Sequence, residues 1–160
     1  MNLLWRTVAA GAIATLSMDL LSALAYWLRL SAPLPPYLMG RWFAYVARAK
    51  PFHAGIANVP AVPHEIVIAV PVHYAIGVVL TTCFVWALSY AGQSPRNLPF
   101  ALAFGVSTNL LPWLVMFPSM GYGFFGSHGP AGTRLFLSSL MSHALFGLGI
   151  WLGVMAAGFQ

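Results

Sequence analysis

The chain has 160 residues, 60% of them hydrophobic and 6% charged, with seven Lys+Arg against two Asp+Glu and a formal net charge of +5. A soluble domain of ordinary composition carries about 25% charged residues, so this balance excludes a water-facing globule, and the few basic residues, set beside apolar runs, exclude a nucleic-acid partner. The single cysteine, Cys83, excludes an intrachain disulfide and any paired-cysteine metal or redox motif.

A mean hydropathy of +0.82 makes lipid the expected solvent for most of the surface. The expected fold is an all-α integral membrane protein, a four-transmembrane-helix bundle forming one domain over 1–160. Continuous apolar runs favour helices over the alternating strands of a barrel.

The first span is expected over about 3–30, stopped by Pro33, Pro35 and Pro36, since proline lacks a backbone donor and clashes inside a helix. Ala23-Leu24-Ala25 loosely imitates a signal-peptide cleavage site, but Asp19 inside the apolar run makes a span the preferred reading. The following loop is the longest, and its 40–50 portion reads as a short interfacial helix. Arg41, Tyr45 and Arg48 share one face, with Trp42, Phe43 and Val46 on the other. Arg41, Arg48 and Lys50 are accordingly expected at lipid headgroup phosphates; a plain basic loop that only fixes orientation is the alternative.

The second span is expected over about 65–90, with Glu65 a solvated helix start. A polar turn, Ala91 to Pro95, leads to a third span over about 98–117, ended by Pro118 and Gly121-Tyr122-Gly123. The fourth span is expected over about 135–159 and carries a Gly149/Gly153 GxxxG spacing. Arg29, Arg41, Arg48, Lys50 and Arg134 fall on one side, and Arg6 and Arg96 on the other. The positive-inside rule therefore expects a cytoplasmic 31–64 loop.

Ionisable residues inside a membrane are costly and face the bundle interior. Asp19, His73 and His143 are three such residues, Asn109 is a fourth polar group at depth, and each lies on a different span. Counting inward from the 31–64 side at ~1.5 Å per residue puts all of them roughly 12–17 Å below that surface. Thr15, Ser22 and Ser139 lie on the same stripes and are expected to support this central polar layer, with the mouth of any cavity between the 40–50 helix and the 118–132 loop.

Several chemistries fit the layer. Two imidazoles and a carboxylate suit a divalent metal on Asp19, His73 and His143, or a proton relay. His73 and His143 from facing helices could clamp a haem b. The layer equally suits a structural hydrogen-bond network that fixes helix register. Three readings therefore stand: binding or conduction of a small solute, proton or ion; a metal- or haem-dependent membrane enzyme or electron carrier; and an accessory subunit, alone, as a homo-oligomer or in a larger membrane complex, whose polar layer only holds it together.

Several stretches carry a resemblance. They are Ala14-Thr15-Leu16-Ser17-Met18-Asp19, Gly40-Arg41-Trp42, His73-Tyr74-Ala75-Ile76-Gly77, Arg134 followed by Ser142-His143, and Phe146-Gly147-Leu148-Gly149. Together they resemble a bacterial family of small four-span membrane proteins, domain of unknown function 2938. The resemblance covers nearly the whole chain, implies a bacterial inner-membrane location and carries no activity. Arginine outnumbering lysine six to one fits a bacterium of high GC content.

Overall fold

The computed structural model describes residues 2–159. Four helices are long and apolar enough to cross a membrane: α1 (Leu3–Trp27), α3 (Glu65–Tyr90), α4 (Leu98–Ser119) and α5 (Thr133–Ala156). A shorter helix, α2 (Pro36–Val46), lies in the first loop. The chain is an all-helical four-span membrane protein. Each span, at ~1.5 Å per residue, exceeds the ~30 Å apolar thickness of a bilayer.

The helix ends have local causes. Asn2 caps α1 by accepting the Trp5 amide at 3.1 Å, and Asn97 caps α4 by accepting the Phe100 amide at 3.1 Å. Arg29 adopts a left-handed φ of 61°, and Leu30 N–H returns to the Ala25 carbonyl at 2.9 Å, so α1 ends at Trp27 rather than near Leu30. In α4, Pro112 has no N–H for the Thr108 carbonyl, and residues Pro112–Met116 widen into a π-helical turn. The helix then resumes to Ser119, slightly beyond the expected 117.

The spans are arranged as an arc. α1 packs most extensively on α5 and also on α3, and α5 carries α4 on its other side; α3 and α4, although consecutive in sequence, barely meet. The α1–α5 seam is built from small residues. A Cβ on Gly153 would collide with the Ala10 carbonyl, and one on Gly149 with the Ala14 carbonyl. Lipid offers little hydrophobic incentive for helices to associate, so close backbone approach and dispersion have to supply it. Leu20, Val79, Trp86 and Leu137 are exposed on the outer faces, as lipid-facing positions require.

α2 differs from the expected interfacial helix. It spans Pro36–Val46 rather than 40–50, and the face that it buries contains Leu38, Gly40, Arg41 and Ala44. Gly40 lets α2 approach the Glu65 carbonyl at the start of α3, where a Cβ has no room. Arg41 is therefore turned inward, toward Glu65 rather than outward from α2. Its Nε donates to Glu65 Oε1 at 2.6 Å and its Nη2 to Oε2 at 3.3 Å. Its Nη1 reaches the carbonyls of Ile56, Ala57 and Val59 at 3.3, 3.2 and 3.1 Å. The hydrogen bonds to Glu65 raise the pKa of the Arg41 guanidinium above its ordinary value, against the opposing effect of burial. Glu65 is thus an ion-pair partner rather than a solvated helix start, and it also accepts the Val62 amide at 2.8 Å. Arg48 and Lys50 are exposed just beyond α2.

Candidate functional site

The concave side of the arc holds a cavity of ≈ 660 Å³. Its volume is within the ~300–1,000 Å³ of small-molecule sites. α1, α2, α3, α4 and α5 all line it, mostly with apolar side chains, and its polar groups gather at mid-span.

That polar group is assembled from both halves of the chain. On the α3 side, His73 Nε2 lies 3.2 Å from Asp19 Oδ1, the expected Asp–His pair between spans one and two. The carboxylate accepts, so His73 carries its proton on Nε2. On the α5 side, Ser22 Oγ donates to Ser142 Oγ at 3.1 Å. The Thr108 hydroxyl lies 2.6 Å from the Gly105 carbonyl and 2.8 Å from His143 Nδ1. It has one proton, and a carbonyl can only accept. The proton therefore goes to Gly105, His143 donates from Nδ1, and its Nε2 keeps a free lone pair.

Asp19, His73, His143, Thr15, Ser22 and Ser139 all line the cavity. Asn109 does not. It is fully buried behind the wall, accepting from the Ser139 hydroxyl at 2.5 Å. Its Nδ2 has no hydrogen-bond partner among the described residues. The expected four-residue layer therefore divides into an Asp19–His73 pair, a Thr108–His143 pair and an Asn109–Ser139 contact in the α4–α5 seam. Thr15 supports the site by packing rather than by bonding Asp19. Its hydroxyl donates to the Gly11 carbonyl at 2.9 Å, and its side chain occupies the space that a Cβ on Gly77 would need. Thr108 and Ser142 complete the site. Ser142 is recognisable beside His143, whereas Thr108 has no sequence signal beyond lying next to Asn109.

The proposed metal triad is not assembled. Among the described residues no group of three or more His, Cys, Asp or Glu side chains could hold a metal ion. The reason is directional. His73 turns its Nε2 to Asp19 on α1, whereas His143 is drawn by its Nδ1 to Thr108 on α4.

The expected mouth is closed among the described residues. Between α2 and the 118–132 loop, the His53 amide donates to the Ser119 carbonyl at 2.8 Å and the Ile56 amide to the Met120 carbonyl at 2.9 Å. Leu38, Ile56, Phe117, Met120, Tyr122 and Leu135 close over this join as a buried apolar cluster. Burial also raises the pKa of the Tyr122 phenol above its ordinary value. The cavity opens instead on the side where α3 and α4 diverge. There its lining residues Val70, Leu111 and Val115 are 48%, 53% and 57% exposed.

Among known proteins, one family model matches residues 8–157, and its description is "Protein of unknown function (DUF2938)". No curated protein and no solved structure matches the chain.

Proposed function

For this chain, which belongs to the DUF2938 family over residues 8–157, we propose a small inner-membrane protein of bacteria whose central cavity binds a small solute at Asp19, His73 and His143. One observation carries the reading. The Asp19 side chain is 41% exposed within a cavity ≈ 660 Å³ in volume, with His73 at 3.2 Å and the Tyr74 phenol beside it, and among the described residues no Lys or Arg lines that cavity. A polar network that served only to hold helices together would enclose such a group, because a carboxylate left open at membrane depth is costly. The 31–64 loop faces the cytoplasm in this reading, and Arg48 and Lys50, exposed beyond α2, meet headgroup phosphates.

A cysteine at Ser142 tests solute access in a Cys83→Ala background. Thiosulfonate reagents bearing an ethylammonium or an ethylsulfonate group are compared on purified protein. The ammonium reagent should react roughly tenfold faster, the scale of one screened charge interaction, and Asp19→Asn should remove most of that preference. If Ser142→Cys reacts with neither reagent while the unfolded protein reacts with both, the cavity admits no solute and the reading is wrong.

A further inference from the structure

The polar side of the cavity is arranged mainly to accept hydrogen bonds. With Nε2–H given to Asp19, His73 keeps a lone pair on Nδ1; with Nδ1–H given to Thr108, His143 keeps one on Nε2. The Asp19 carboxylate has the Tyr74 phenol as a neighbour besides His73, and its side chain stays 41% exposed. Pro112 withholds the donor that the Thr108 carbonyl would have in a regular helix. Ser22 spends its hydroxyl proton on Ser142, which leaves the Ser142 O–H as a donor on this side. Among the described residues no Lys or Arg lines the cavity, and Arg41, the buried guanidinium of α2, is held by Glu65 and three carbonyls. An anion would meet a carboxylate with no cation to offset it. A wholly apolar guest would leave Asp19 desolvated and underpaired. A headgroup with positive charge and N–H donors offsets the Asp19 carboxylate and can donate to the acceptors beside it.

The rest of the cavity specifies what is attached to that headgroup. Its walls are aliphatic and aromatic, with Val70 and Tyr74 on α3 facing Leu111, Pro112 and Val115 on α4. The end beneath α2 and the 118–132 loop is shut by the apolar cluster around Ile56 and Met120. The exposed lining residues Val70, Leu111 and Val115 flank a cleft between α3 and α4, within the length of the two spans.

We propose that the solute is a cationic amphipath, an ammonium headgroup on an apolar chain, which enters sideways from the bilayer between α3 and α4 and sets its headgroup against Asp19. This rests on the central cavity being a solute site. The chain then lies along Val70, Leu111 and Val115, and the π-helical turn at Pro112–Met116 widens α4 where it forms the cleft wall.

The test uses the full-length protein in phospholipid nanodiscs and two photoreactive probes, a dodecylammonium and a dodecanoate, each with a mid-chain diazirine. After irradiation, adducts are located by mass spectrometry. The ammonium probe should label Val70, Tyr74, Leu111 or Val115 and be displaced by unlabelled alkylammonium. The dodecanoate should label these positions at least tenfold less. Asp19→Asn should abolish the difference between the probes, and Val115→Trp should reduce both by narrowing the cleft; circular dichroism confirms that each variant is folded. Equal labelling by both probes in the wild type overturns the proposed ligand class. Labelling confined to outward residues such as Trp86 overturns the entry route, as does cross-linking of a second copy of the chain through the cleft. If Ser142→Cys still reacts with the ammonium reagent in those cases, the solute site stands and only the amphipath and its route are lost. If Ser142→Cys is also inert, both readings fall together.

Discussion

Replacing Arg41 with methionine tests how α2 is held to the bundle. The substitution keeps much of the apolar stem of the side chain and removes only the guanidinium. Both members of the Arg41–Glu65 pair are 10% exposed, so little water is available to replace what is lost. Glu65 would keep the Val62 amide as its one remaining partner, and the carbonyls of Ile56, Ala57 and Val59 would lose their shared donor. Breaking a buried pair by removing one partner costs about 3–5 kcal/mol. This pair sits at the end of a span, close to the headgroups, so the lower end, about 3 kcal/mol, is expected. Neutralising the stranded carboxylate with Glu65→Gln in the Arg41→Met background should recover ~1 kcal/mol or more, because an uncharged amide costs less to bury. The assay is reversible unfolding of the purified protein in mixed micelles with increasing dodecyl sulfate, followed by tryptophan fluorescence and by protease cleavage in the 47–63 segment. A cost below ~1 kcal/mol for Arg41→Met, with no recovery in the double variant, would refute the argument. It would return Arg41 to the headgroup position that its helical spacing suggests.

Gly153→Leu should destabilise the α1–α5 seam by at least ~1–3 kcal/mol in the same unfolding assay, because any side chain there meets the Ala10 backbone; a cost near zero would mean that the two helices are not packed in this way. For topology, a cysteine replacing the exposed Ala57 in a Cys83→Ala background should resist an impermeant thiol reagent in intact cells and react after permeabilisation; fast labelling from outside would invert the orientation.

The number and type of the spans were legible in the sequence because hydropathy is a local, additive property. Twenty or so apolar residues need no particular partner to favour a bilayer, and the interruptions near residues 29–36, 91–95 and 118–123 mark the breaks to within a few residues. The expectation that Asp19 would find a histidine on another span also came from a local rule, the cost of an isolated carboxylate in hydrocarbon, and His73 meets it.

Direction and neighbourhood were decided only in three dimensions. The phase of a short helix does not say which of its faces will be covered. The face of α2 bearing Arg41 looks suited to headgroups until Gly40 brings it against the start of α3, where Glu65 receives the guanidinium. Depth counting put Asn109 level with the other polar residues, but a rotation about the helix axis is enough to turn a side chain from a cavity into a seam. The α4–α5 packing at Gly105 and Gly147 places Asn109 behind the wall and Thr108 at His143. A short polar turn joins α3 to α4, yet the two helices diverge from it, because α4 gains more by packing on α5. That divergence leaves room for the cavity on the α3–α4 side. It depends on which helices offer small residues to one another, a pairwise property of surfaces that becomes defined only when the whole bundle closes.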